Sequence, residues 1–339
     1  DVSYTTKRQF VGTTSSVGAI TFTVGVGETF PSFTKKNYVL SVMSAGSGTA
    51  AAGDMVDIEG KTSSTANSLT ITDNTLFGNG AEVKLVAPVN VPTAIPKTKS
   101  AFVMQQKTIV DTTATNDIYG SRITDKEVSI DVADVYKLRA VFDSGNPATT
   151  PTPPTLTVSV VSGTFTQGEV IIGSSSGAKG YVIVNSPATA VTYIIISGTF
   201  NTLDTIAGQT SAVTAKVDVV ATGHTNVTDH YSLDTGQKTE YYDISRIVRK
   251  AGVIAPAGQL LIIYDYFTHG TGDYFSVGSY GIDYADIPKF NPELRDALDF
   301  RPRVADITAT TVNPFSVQNR SYETAGSSIG NIVQADDNI

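Results

Sequence analysis

The sequence predicts a mainly β protein: tandem β-sandwich-like domains with a small inserted β-repeat domain and an extended C-terminal arm. Three observations predict it. Thr, Ser, Gly and Val dominate, and charged residues make up 17%, below the roughly 25% of an ordinary soluble domain. Apolar and polar residues alternate over short runs bounded by Gly, Ser and Asn turns, the period of a half-buried strand. Near the middle, one stretch repeats another at constant spacing.

The chain has 339 residues, enough for two or three domains of roughly 100–200 residues each. Residues 1–100 read as an N-terminal sandwich. Alternating strands are expected at Ala19–Val26, Asn37–Met43, Asp54–Glu59, Ser68–Thr72 and Ala81–Val86, with turns such as SAGSG and FGNG between them. PVNVPTAIPK follows; its three prolines donate no ladder hydrogen bond, so it reads as an extended linker or edge segment at a boundary.

Residues 101–150 and 221–290 are expected to form a second sandwich-like domain split by an insertion. In its first half Tyr136, Leu138, Ala140 and Phe142 alternate with Lys137 and Arg139, which predicts a strand with one buried face. SGNPATTPTPPTL, rich in Pro and Thr, is a semi-rigid connector. The insertion, 151–220, carries the repeat. Ser162, Gly163, Thr164 and Phe165 recur as Ser197, Gly198, Thr199 and Phe200, and Ile171, Gly173, Ser176 and Val182 recur as Ile206, Gly208, Ser211 and Val217. Two copies are too few for a solenoid and read as two β units of one small domain.

Long strands return at Glu240–Lys250 and Gln259–Thr268, and the run Leu260–Ile263, apolar on both faces, places the second at the centre of its sheet. Residues 291–339 are expected to hold a short helix, Pro292–Phe300, capped by Asn291 and stopped by Pro302, followed by an extended arm.

Charge and composition restrict function. A formal net charge of -8 repels phosphate backbones, so no nucleic-acid partner is expected. Without cysteine there are no disulfides, zinc–thiolate sites or thiol nucleophiles. No window approaches the roughly 18 apolar residues of a membrane span. The chain opens on Asp1 rather than Met, and its abrupt ends read as those of a piece of a longer polypeptide.

No motif spells out a reaction, and no cofactor is expected. GSSSG (Gly173–Gly177) has the spacing of a nucleophile elbow but lacks the helix that exposes such a serine, so it reads as a hairpin turn. AGSGTAAAG (Ala45–Gly53) leads into a strand rather than a helix and reads as a mobile loop, not a phosphate cradle. Asp265, His269 and Asp273 hold metal-ligand chemistry, but Asp265 and His269 are about 13 Å apart on a strand, so a surface or capping role is expected. Asp283 and Asp286 lack further oxygen ligands at a recognisable spacing and read as turn caps. The densest aromatic cluster, Tyr264, Tyr266, Phe267, Tyr274, Phe275, Tyr280 and Tyr284, reads as part core and part interface, where Tyr is enriched. Tyr274, Phe275 and Tyr280 are expected at a domain or subunit interface; a glycan platform is the competing reading.

Two stretches carry a resemblance. DVADVYKLRAVFDS, and TGQKTEYYDISRIVRKAG with the run from Tyr264 to Val304, resemble segments of large virion structural proteins of contractile-tailed, myovirus-type phages of marine bacteria. The likeness covers residues 117–143 and 231–304 and skips the insertion. It implies a non-enzymatic structural subunit of a tail, baseplate or fibre, located in the virion. The implied partners are copies of itself, as trimer or hexamer, and other virion proteins. It carries over no catalytic residues. The rival expectations are a receptor- or glycan-binding module with the insertion as its tip, a bacterial surface or filament protein, and a polysaccharide hydrolase.

Overall fold

The computed structural model describes residues 2–110, 120–186, 189–282, 287 and 298–304, together with the backbone of short strands at 322–323 and 331–332. Strands take up 49% and helix 2% of the described residues, so the fold is mainly β.

The first unit has strands β1 (Tyr4–Thr13), β2 (Ala19–Thr23), β3 (Val39–Ser44), β4 (Met55–Val56), β5 (Thr62–Ser64), β6 (Ser68–Thr72) and β7 (Glu82–Val91). β1, β7, β3 and β4 form one antiparallel sheet and β2, β6 and β5 another. Their inner faces share one core, with Phe10, Leu40, Val83 and Leu85 from the first sheet and Ile20, Phe22, Leu69 and Ile71 from the second. β1 escapes the alternation test because its inward face carries Arg8, which is buried and held by both carboxylate oxygens of Glu28 at 2.7 and 2.6 Å. The proline run begins inside β7. Pro88 still pairs with Lys7 of β1, but it lies beyond Val86, where pairing to β3 stops, so its missing N–H costs nothing there. The expected linker is therefore shorter than the run of prolines.

The loop Ala45–Gly53, expected to be mobile, is zipped to residues 75–79 instead. Gly48, Thr49 and Ala50 donate backbone N–H groups to Phe77, Thr75 and Leu76 at 2.9–3.1 Å. A Cβ on Gly48 would stand 2.3 Å from the Leu76 carbonyl oxygen. Gly46 and Gly48 permit this close backbone approach.

Strands β8 (Lys99–Ile109), β9 (Glu127–Ala133) and β10 (Val135–Asp143) open the second unit. After the insertion come β17 (Thr225–Asn226), β18 (Tyr231–Asp234), β19 (Ile244–Arg249) and β20 (Leu260–His269). Sheet order β17-β10-β20-β8 faces sheet β18-β19-β9. β20 is central, as its apolar faces require. Leu260, Ile262 and Tyr264 pack toward the second sheet, and Leu261 and Ile263 toward the insertion.

The expected face of β10 is corrected. Leu138 packs with Val141 in the sandwich core, whereas Ala140 and Phe142 pack on the other side. A bulge between Leu138 and Ala140 inserts Arg139, and an extra residue reverses the alternation beyond it. Arg139 is not a solvated residue: it pairs with buried Asp265 at 2.6 Å and stacks over Tyr181 of the insertion at 5.0 Å.

The insertion is a closed six-stranded barrel of β11 (Thr155–Ser159), β12 (Val170–Gly173), β13 (Lys179–Val182), β14 (Ala190–Ser197), β15 (Thr205–Gly208) and β16 (Thr214–Ala221). The copies, offset by 35 residues, are related by a pseudo-two-fold axis. Ile171 pairs with Gly208, and Gly173 with Ile206; these are equivalent pairs. The core is built of equivalents: Leu156 and Val191, Phe165 and Phe200, Ile171 and Ile206, Val182 and Val217. Where the sequences differ, the sizes compensate: Gly180 leaves room for Tyr193, and the equivalent pair is Ala215 and Val158.

Each copy caps the other's turn. Asp204 accepts from Ser175 N at 2.8 Å, from Ser175 Oγ at 3.0 Å and from Ser176 Oγ, so GSSSG is a hairpin turn held by a carboxylate. Glu169, the equivalent of Asp204, accepts from Thr210 N at 3.0 Å and Ser211 N at 2.9 Å. Gly173 and Gly208 let these carboxylates approach, since a Cβ would lie 2.3 and 2.5 Å from their oxygens. Burial would push both carboxyls up; the turn's donors outweigh it and hold both below the usual range. Asp204→Ala is expected to lower stability by about 1–3 kcal/mol, because several donors lose one buried acceptor. Ser175→Ala should cost less, and urea unfolding of both variants checks the order.

Only one face of the pseudo-symmetric barrel, built from both copies, docks on the sheet. Ile183 and Ile194 pack with Met104, Phe142 and Ile263, with Tyr181 against them. Their equivalents, Asp218, Ser159 and Lys216, are polar, and Asp218 and Lys216 are exposed. The two crossings between sheet and barrel run side by side, with Thr152 N donating to His224 Nδ1 at 2.8 Å and His224 N to the Thr152 carbonyl at 2.8 Å.

Near the end, β21 (Arg303–Val304) pairs with β22 (Tyr322–Glu323), and β23 (Asn331–Ile332) pairs with β1 at Arg8 and Gln9. Of the expected helix, Pro292–Ala297 lie outside the described residues. Leu298–Phe300 are not helical: Asp299 forms an antiparallel bridge with Phe275, whose two backbone hydrogen bonds, at 2.7 and 2.9 Å, hold that segment extended.

A buried charge cluster as the candidate functional site

The described residues converge on one unusual place, a knot of ionic groups inside an aromatic shell. Lys99 enters from the start of β8. Asp134 is the corner where the chain leaves β9 in one sheet for β10 in the other; its φ of 60° is the left-handed conformation that Asp tolerates better than most residues. His269 ends β20 as the cross-strand partner of Lys99. Tyr242 precedes β19 and exchanges backbone hydrogen bonds with the last segment, donating to the Pro302 carbonyl at 2.8 Å and accepting from Val304 N at 2.9 Å.

Lys99 Nζ lies 2.7 Å from Asp134 Oδ2, and neither side chain has exposed surface. His269 Nε2 reaches the same oxygen at 2.7 Å, and Gln237 Nε2 donates to Oδ1 at 3.0 Å. Lys99 Nζ also donates to Tyr242 Oη at 3.1 Å. Tyr242 Oη bonds Asp299 Oδ2, and Arg301 grips Asp299 through Nε at 3.0 Å and Nη2 at 2.8 Å. The Arg301 guanidinium stacks over the Tyr242 ring at 4.3 Å. Around Lys99 Nζ stand the rings of Tyr242, Phe275, Tyr280 and Phe267, at 4.4, 4.7, 5.1 and 5.6 Å. Each offers the negative face that stabilises a desolvated ammonium.

Burial works against every charge here. It would push the Asp134 carboxyl up, but the Lys99 charge and the His269 hydrogen bond outweigh it and hold Asp134 well below the usual carboxylate range. Burial takes the His269 imidazole down to about 4 against the pull of Asp134, so the ring is neutral at pH 7. A neutral ring beside a carboxylate carries its proton on Nε2. Burial, with Asp134 and Asp299 nearby, raises the Tyr242 hydroxyl well above its ordinary value, and it stays protonated.

The candidate metal set does not assemble. Asp265 turns to Arg139 and Met104 N, His269 to Asp134, and Asp273 to Tyr4 Oη at 3.0 Å and Ile95 N at 2.8 Å. Asp273 is a cap, as expected. His269 and Asp265 are corrected from surface residues to buried ones: Asp134, 135 residues from His269, and Arg139, 126 residues from Asp265, reach them from another strand or corner, contacts that spacing along one strand cannot reveal. Among the described residues, no three His, Cys, Asp or Glu side chains lie together as metal ligands. Asp283 and Asp286 lie outside the described residues.

The aromatic run divides. Tyr264 is buried in the sandwich core with Tyr266 packed against it, and the Tyr266 ring lies tilted against Phe102 at 5.5 Å. Phe267 and Phe275 are buried, so their surface is spent within the chain. Phe267 stacks on Tyr136 at 4.3 Å and meets Tyr280 edge-on at 5.3 Å. Tyr274 contacts Phe300, which contacts Tyr4 of β1, so the last segment ties the two sandwiches together. Tyr284 lies outside the described residues. Lys99, Asp134, Gln237, Tyr242, Asp299 and Arg301 had no local sequence signal; they are scattered over 203 positions and meet only in the fold.

The site thus belongs to a mainly β protein of two sandwich-like units and a docked barrel. Compared with known proteins, the chain matches no family model, no curated protein and no solved structure.

Proposed function

We propose that the chain is a non-enzymatic structural subunit of a phage virion, in the tail, baseplate or fibre, and acts by oligomeric assembly. One observation carries this reading. The described residues of the two separated stretches that resemble virion proteins, 117–143 and 231–304, meet in the fold: β9, β10, β18, β19 and β20 come from them, and so does every charged or amide member of the buried cluster except Lys99. Its described acids are engaged by cations or hydrogen-bond donors of the same chain, an arrangement that holds shape rather than one that turns over a substrate. The barrel joins through two adjacent crossings and one apolar face, which suits a variable module on a constant scaffold.

Assembly surfaces follow from the same geometry. β8 is an outer strand of its sheet, and Phe102 and Tyr266 offer aromatic surface beside it. The test is electron microscopy of the purified particle with this chain located in it. A ring, collar or fibre of three- or six-fold symmetry is the expected result; a monomer found in no particle would sink the reading. A second reading, a receptor- or glycan-binding module, draws on exposed apolar residues of the barrel, Leu203 and Val160, 72% and 83% exposed. Binding of the chain on a glycan array, lost on Leu203→Asp, would favour it.

A further inference from the structure

We propose that Lys99 and Asp134 are joined in the mature protein by an intramolecular amide bond between Lys99 Nζ and Asp134 Cγ. Lys99 Nζ, the nucleophile, lies 2.7 Å from Oδ2 of the Asp134 carboxyl whose Cγ is the electrophile, and neither side chain has exposed surface. They come from β8 and from the β9–β10 corner, elements that do not pair with each other directly, so the bond adds a tie that the ladders do not make. Four aromatic rings within 5.6 Å of Nζ close the site to bulk water.

The neighbours occupy the positions the reaction needs. Gln237 Nε2 and His269 Nε2 donate to the two oxygens of Asp134 at 3.0 and 2.7 Å. These donors polarise Cγ and face the oxygens on which charge builds in a tetrahedral adduct, the arrangement of an oxyanion hole. On the far side of Nζ, Tyr242 Oη at 3.1 Å accepts from Lys99 and is bonded to Asp299. Tyr242 takes a proton from the ammonium and passes its own to Asp299, which frees the amine lone pair for attack. Tyr242 touches the reacting nitrogen; Asp299 acts through it as a positioning residue.

The step balances without a co-reactant. An ammonium and a carboxylate become one amide and one water. The N–C bond forms and one C–O bond of Asp134 breaks. Two of the three ammonium protons leave with that oxygen as water, one of them returned from Asp299 through Tyr242. The product carries no charge, so the desolvation cost borne by a buried ion pair disappears. In a chain without cysteine, the amide is a covalent staple that needs no oxidant. The inference stands independently of the virion reading.

Intact-mass spectrometry of the full chain, denatured after prolonged incubation at neutral pH, tests it. The wild type is expected to be lighter than its sequence mass by one water. Lys99→Arg and Asp134→Ala are each expected at full sequence mass. Proteolysis of the wild type should release a branched peptide containing Lys99 and Asp134. Asp299→Asn leaves both joined residues in place and is expected to slow the appearance of the lighter species severalfold; an unchanged rate overturns the assigned proton path. A wild type that stays at full mass, or a water loss that persists in Lys99→Arg, overturns the bond.

Discussion

Asp134→Ala is expected to lower the free energy of unfolding by about 3–5 kcal/mol, the cost of leaving a buried charge without its partner. Lys99 Nζ would remain in a closed aromatic shell facing no carboxylate, and His269 and Gln237 would lose their shared acceptor. Alanine at φ 60° adds strain of about 1 kcal/mol that Asp tolerates better. A double variant, Lys99→Met with Asp134→Asn, should recover a large part of the loss. It removes both charges, keeps an oxygen acceptor for His269 and keeps a residue suited to the left-handed corner. Urea unfolding of the three proteins decides the matter. Equal stability of wild type and Asp134→Ala would show that the cluster contributes nothing. The order holds whether the native link is an ion pair or an amide, and intact mass tells which.

Acid is expected to destabilise the protein well above the ordinary range of carboxylate protonation. His269 is taken down from 6.5 to about 4 by burial, with Lys99 and Arg303 adding to the depression and Asp134 opposing it. Between those values the unfolded chain binds a proton that the folded chain refuses. Stability is therefore fully present above about 6.5 and falls as pH drops toward 4, by on the order of 3 kcal/mol for this group. In protein where Lys99 and Asp134 are still an ion pair, Asp134 extends the loss further down. Its carboxyl is held well below 3.8, so its contribution, present above that value, disappears only in stronger acid. His269→Gln keeps a donor toward Asp134 and removes the titration. Urea midpoints at pH 7 and pH 4.5 should lie far apart in the wild type and close together in the variant. Parallel shifts in both would remove His269 from the explanation. Because the cluster clamps Asp299 and Arg301, release of the segment 298–304 should accompany this loss, readable as faster amide exchange there.

The sequence by itself determined the class of fold, the repeat and the central place of β20. Period-two alternation, β-branched residues and turn glycines act locally, so they are legible one window at a time. The repeat was legible because both copies fill one core with equivalent residues. Four features were decided only by tertiary structure. β1 hides its strand character because Arg8 faces inward, made tolerable by Glu28, 20 residues away. The bulge at Arg139 reverses a face through pairing with β20, which no window on β10 contains. Leu298–Phe300 lie extended because Asp299 pairs with Phe275. The cluster itself joins Lys99, Asp134, Gln237, Tyr242, His269, Asp299 and Arg301, ordinary charged, amide and ring residues in sequence. Only packing removes their water, and once water is gone each charge is stable only where its partner stands.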